Sequence, residues 1–96
     1  MSRVRLKLDG HCVGTTARHE MRHIESRVLS DRQRPDDAER HETLRRFLEA
    51  TDVVALRVAR PELEGIPPVE VEIRETGGSW SVEIIGRDER PGPEDP

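Results

Sequence analysis

Val69-Glu70-Val71-Glu72-Ile73-Arg74-Glu75-Thr76-Gly77-Gly78-Ser79-Trp80-Ser81-Val82-Glu83-Ile84 is the stretch that decides the fold. Apolar and polar residues alternate on both sides of a Gly-Gly pair, which supplies the positive φ angles of a two-residue hairpin turn. Such a turn sets Thr76 opposite Ser79, Ile73 opposite Val82 and Val71 opposite Ile84. Each inward residue then meets an inward residue, so turn chemistry and hydrophobic pattern specify the same register. One consequence is unfavourable: Glu72 stands directly across from Glu83 on the outer face, a like-charge pair.

Working outward, Arg3-Val4-Arg5-Leu6-Lys7-Leu8 alternates strictly and predicts a half-buried first strand. Val54, Leu56 and Val58 repeat the pattern and predict a second strand, stopped by Pro61. Between them, Ala17, Met21, Ile24 and Val28 form an apolar stripe at helical spacing, on a helix capped by Thr15 or Thr16 and running to about Leu29. Asp36 with Glu39 resembles a capping box for a second helix, which presents Leu44, Phe47 and Leu48 and ends near Thr51. Pro61 to Pro68 reads as a rigid loop whose Leu63 and Ile66 cover a core edge.

The expectation is a two-layer α+β domain over residues 1–86, in the order β-α-α-β-β-β, with both helices on one face of a four-stranded antiparallel sheet. Arg3, Arg5 and Lys7 would neutralise Glu72 and Glu83 if the first strand lay beside the last, whereas beside the second they would crowd Arg57. That predicts the strand order 2-3-4-1. Residues 87–96 hold prolines and acids but no apolar side chain, and predict a disordered tail.

Composition narrows the function classes. Ninety-six residues make one domain, and 32% hydrophobic against 38% charged residues allow only a modest core, whose stability is small or shared with a partner. Phe47 and Trp80 are the sole aromatics, too few for stacking-based recognition of single-stranded nucleic acid. The single cysteine, Cys12, permits no internal disulfide and points to a reducing cytoplasm. The opening residues alternate charge and apolarity, unlike a signal peptide or a membrane span. Residues 1–34 carry 8 Lys/Arg against 4 Asp/Glu, while residues 35–96 carry 8 against 16, so charge complementarity within the chain competes with a nucleic-acid arm.

His19-Glu20-Met21-Arg22-His23 has the H-E-x-x-H form by which zinc peptidases place two ligands and a general base on one helical turn. On this helix, however, Met21 belongs to the core stripe. His19 and His23 then lie about 160° from it, facing water. No third ligand follows at a familiar spacing; His41 and Glu42 fall on the next helix. His11 and Cys12 occupy a loop after a strand end, where functional residues often collect.

These features predict a small non-enzymatic, cofactor-free cytoplasmic interaction module, a regulatory, accessory or adaptor subunit. It would bind a protein partner, or itself as a homodimer, through an edge strand or an uncovered outer sheet face. That face would carry Arg3, Arg5, Arg57, Glu72, Arg74, Glu83 and Ile85. The alternatives are a zinc-dependent hydrolase using His19, Glu20 and His23, and nucleic-acid binding through Arg18, Arg22, Arg27, Arg40, Arg45 and Arg46. Glutamates interspersed among those arginines at ion-pair spacing mark solvated helices and make nucleic acid the weaker alternative.

Overall fold

The computed structural model describes residues 2–87; residues 88–96, most of the stretch expected as a disordered tail, lie outside them. The elements run β1 (Ser2–Leu8), α1 (Val13–Leu29), α2 (Asp37–Ala50), α3 (Val53–Ala59), a 3-10 turn (Pro61–Glu64), β2 (Val69–Thr76) and β3 (Ser79–Arg87). The class is α+β, with one three-stranded antiparallel sheet in the order β1-β2-β3.

The hairpin has the register its sequence specifies: Val71 faces Ile84, Ile73 faces Val82, Thr76 faces Ser79, and Glu72 does oppose Glu83. Gly77 and Gly78 take φ of 57° and 87° at the turn. A bulge between Glu70 and Val71 shifts the pairing, so that Glu70 stands against Gly86.

The four-stranded sheet, the order 2-3-4-1 and the count of two helices are all overturned, for one local reason. The stretch around Val54, Leu56 and Val58 is not a strand but the helix α3. Asp52 caps it, its Oδ1 accepting from the Val54 and Ala55 amides at 3.1 and 3.0 Å. Behind that cap stand Ala55, Leu56, Arg57 and Ala59, all better helix than strand formers. Val53 then packs on Gly14 of α1, so closely that a β-carbon added to Gly14 would lie 2.9 Å from a Val53 methyl. Val54 and Val58 are left 62% and 73% exposed, so the alternation there reflected no buried sheet face.

With no strand from that region, β1 takes the place beside β2. Val4 pairs with Ile73, Leu6 with Val71 and Leu8 with Val69 on the inner face, while Arg5 meets Glu72 and Lys7 meets Glu70 on the outer. The cations thus reach Glu72 from the side opposite Glu83. Arg5 Nε lies 3.3 Å from Glu72 and Arg74 Nε also donates to it. Glu72 is only 2% exposed, and the Arg74 hydrogen bond, opposed by burial and aided by Arg5, holds its carboxyl below the ordinary range.

The core lies between the inner face of the sheet and the helices. Leu8, Val13, Leu44, Phe47, Leu63 and Ile73 are fully buried within it. Trp80 packs edge-on to Phe47 with ring centroids 5.6 Å apart, and the Arg46 guanidinium lies over the Trp80 ring at 5.7 Å. Leu63 covers the core edge as expected, but Ile66 is exposed.

The helix starts also differ from expectation. Cys12, not a threonine, is the residue before α1, and Asp36 makes no side-chain cap bond at α2. The neighbouring Asp37 instead turns inward, where Arg27 grips it through two hydrogen bonds of 2.9 and 2.8 Å and the Arg34 amide adds a third. The Arg27 hydrogen bonds hold the Asp37 carboxyl far below the usual carboxylate range, the Arg34 amide assisting and burial opposing. A charged clamp thereby joins α1 to α2 at the point where the chain turns between them.

Candidate functional site

The H-E-x-x-H residues lie on α1 with Met21 half-buried on the core side and His19 and His23 exposed. The His23 side chain is 72% exposed, 4.0 Å from Glu20. Glu20 Oε2 accepts from Arg40 of α2 at 2.8 Å and lies 3.9 Å from Arg27. Its carboxylate therefore extends the clamp between the two helices, tied to guanidinium groups. Among the described residues, no group of three or more His, Cys, Asp or Glu side chains is placed to hold a metal ion.

Of the residues expected on the open sheet face, Arg3, Arg5, Glu72, Arg74 and Glu83 alternate outward along the strands, and Ile85 follows them in β3. Arg57 does not belong to this group. It sits on α3, paired with Glu64 at 3.7 Å, because its segment is helical. Of the six helical arginines, Arg27, Arg40, Arg45 and Arg46 lie within ion-pair distance of carboxylates, whereas Arg18 and Arg22 are exposed on α1 with no such partner among the described residues.

The structure brings together residues that sequence spacing does not connect. A cleft of about 310 Å³ has Arg5, Leu6 and Lys7 of β1 on one side and Thr16, His19, Glu20 and His23 of α1 on the other. Asp9 and His11 from the connecting loop and Arg40 from α2 complete it. Arg5 and Lys7 point to the outer face of the sheet, whereas Leu6 and the helix lie on the inner side. Only a strand edge exposes both faces at once, and the other edge of β1 is occupied by β2. The cleft therefore lies along the free edge of β1, with α1 as its far wall.

Two details shape that cleft. His11 packs edge-on against His19, ring centroids 5.3 Å apart at 81°, which holds the loop imidazole beside the helical one. Thr16 Oγ1 is the one buried side-chain polar atom without a hydrogen-bond partner among the described residues. Backbone groups of alternate β1 residues point away from β2, and they find no backbone partner there among the described residues. The edge is seven residues long, about 23 Å of extended chain.

Asp9 and Thr16 were not legible as site residues, while Lys7 was read only as a cation of the first strand and Arg40 only as one of the helical arginines. A signal for some of them exists in hindsight. Only four residues separate β1 from α1, so α1 must fold straight back along the strand that precedes it. The place of Arg40 beside Glu20 carried no signal, since the two stand twenty residues apart.

Two further features stand apart from this cleft. A second concavity of about 460 Å³ lies between the end of α1 and the start of α2, where Leu29 is 88% exposed and the Glu25–His41 pair forms part of the lining. Cys12, half-buried, shares a hydrogen bond with the Thr15 hydroxyl at 3.3 Å. Burial pushes its thiol up, but the Thr15 hydroxyl, the Thr15 and Gly14 amides and Arg57 outweigh that, and its pKa is lowered.

No helix among the described residues is long and apolar enough to cross a membrane. Neither the curated proteins nor the solved structures contain a match to the chain. A protein-family model, whose description names no activity, ligand or partner, matches residues 1–83, which take in every described element up to the middle of β3. The chain belongs to that protein family.

Proposed function

We propose that this protein is a small interaction module that receives an extended segment of a partner protein along the free edge of β1. The observation that carries this is the cleft there, which joins unpaired strand backbone to a wall of polar helix side chains. Strand addition uses those two parts differently. Main-chain hydrogen bonds to the edge supply affinity, and alternate side chains of the added segment enter the cleft and supply selectivity. The other side chains of the segment would extend the outer face beside Arg3, Arg5 and Lys7.

The thin core favours such a role, because a ligand that binds only the folded chain adds to its stability. A cytoplasmic location accords with the lone Cys12. The hydrolase alternative loses support from the position of Glu20, whose carboxylate bridges to Arg40 and Arg27. Nucleic-acid binding is the weaker reading because four of the six helical arginines are paired with carboxylates, which leaves only Arg18 and Arg22 free on α1 among the described residues.

Selection of a phage-displayed library of unstructured dodecapeptides on the full chain tests this. Amide shift mapping of the enriched peptides should perturb residues 3–8 and 16–23 together. Enrichment of peptides that perturb only other surfaces, or failure to enrich any, would overturn the proposal.

A further inference from the structure

Resting on that use of the β1 edge, we propose that the segment it receives is acidic, presenting carboxylate side chains to Lys7 and to the imidazoles of His11, His19 and His23. These four side chains lie in one cleft, contributed by the strand, the loop and the helix. The carboxylates already in the cleft only partly offset them, Glu20 Oε1 standing 4.0 Å from His23 Nδ1. Glu20 is taken up by Arg40 at 2.8 Å and Arg27 at 3.9 Å. Asp9 stands at the loop end. Lys7 stands opposite Glu70 in the strand register yet forms no ion pair with it among the described residues, so its ammonium donors are open.

The imidazoles present ring N–H groups, and a neutral ring donates through one nitrogen to a carboxylate. His11 is held against His19 by edge-on packing, so the two rings stand side by side at the cleft wall. A segment bearing Lys or Arg would meet the open Lys7 ammonium with Asp9 as the one unpaired carboxylate of the cleft among the described residues, Arg5 and Arg40 being already paired with Glu72 and Glu20. Charge sign therefore discriminates between segments of equal strand propensity.

The same strand argues against a second copy of the chain as the occupant. Two β1 edges paired antiparallel about Arg5 would set Arg5 against Arg5 and Arg3 against Lys7, like charges directly opposite one another. Cations on an edge strand are a common way to block pairing of identical edges. What repels a second β1 attracts an acidic strand.

The test uses three synthetic peptides of one length and one alternating valine pattern, with Glu, Gln or Lys at every second position, titrated into the full chain and followed by fluorescence anisotropy, with amide shifts mapped for each complex. The Glu peptide should bind about tenfold more tightly than the Gln peptide and weaken further as salt rises from about 50 to 300 mM. Lys7→Gln and His19→Ala should each cost about fivefold against the Glu peptide and little against the Gln peptide. Equal binding of Glu and Gln peptides, or tighter binding of the Lys peptide, with shifts still at residues 3–8, would refute the acidic preference and leave strand addition standing. Shifts elsewhere, or a dimer by sedimentation that excludes the peptides, would refute both.

Discussion

Gly65→Ala should be among the most damaging single-methyl additions in this chain, and the reason is local and measurable. Gly65 sits at φ 76°, where any L residue is strained. A β-carbon built on it would lie 2.7 Å from the His11 carbonyl oxygen, 2.8 Å from Leu8 Cβ and 2.9 Å from the Leu8 carbonyl carbon. None of these is the end of a flexible side chain. Leu8 is fully buried, and the Gly10 amide already donates to the Gly65 carbonyl at 3.1 Å, so the two loops cannot part without breaking that bond. Strain at positive φ costs about 1 kcal/mol, and forcing a methyl into occupied space costs roughly 1–3 kcal/mol more.

Gly77→Ala separates the two contributions. It sits at φ 57° with nothing within 4 Å of the added carbon, so it carries the strain without the collision. Urea unfolding followed by far-ultraviolet circular dichroism should place Gly65→Ala below Gly77→Ala by roughly 1–3 kcal/mol. The total stability expected for a domain this size is only about 5–14 kcal/mol, so the larger penalty would be plain. Equal losses in the two variants would refute the close packing of the 3-10 turn region on the end of β1. They would also remove the support on which His11 is positioned in the cleft.

Other outcomes rest on the same kind of contact. Asp52→Ala should cost about 1 kcal/mol in urea unfolding and lower the helical signal, whereas a strand over Val54 to Val58 would lose nothing from that change. Gly14→Ala should destabilise by pushing on Val53, and Val53→Ala should relieve it, giving a coupling of about 0.5–1 kcal/mol in a double-mutant cycle; strict additivity would deny that α3 docks there. Asp37, whose folded pKa is depressed, contributes stability that is fully present above the ordinary aspartate value and lost as pH falls below it toward the folded value. Asp37→Asn should thus melt well below the parent at pH 7, with the gap narrowing under acid; parallel melting curves against pH would contradict the clamp.

Most of the sheet was legible, because alternation and a Gly-Gly turn constrain the same residues twice. Val71, Ile73, Val82 and Ile84 can face one core only in one register, and the turn closes in that register. Val54, Leu56 and Val58 had alternation without a second constraint. In a stretch this short a period of two and a period of 3.6 are hard to separate, and Asp52 was the deciding residue: its carboxylate satisfies the amides that a helix start leaves open. The charge argument found the right partners in the wrong neighbours. Arg5 does neutralise Glu72, but from the β1 side of β2, because the predicted occupant of that place had become α3. The clamp of Arg27, Asp37, Glu20 and Arg40 was invisible for a different reason. Oppositely charged residues ten and twenty apart leave no periodic trace, and only the turn between α1 and α2 brings them together.

The loss of the fourth strand bears on where a partner can bind. A three-stranded sheet has two edges, and the chain treats them unequally. At β3, Arg60 from the end of α3 donates to the Val82 carbonyl, so a side chain already engages that strand's backbone. Beside β1 the chain sets a helix wall and leaves a cleft instead, lined by imidazoles and an open ammonium. An edge protected only by cations resists copies of itself while remaining open to a strand of opposite charge. Cationic side chains on β1 and carboxylates bound up within the helix clamp therefore have one combined effect: the exposed backbone that a small sheet cannot avoid is made selective by the sign of the charge beside it.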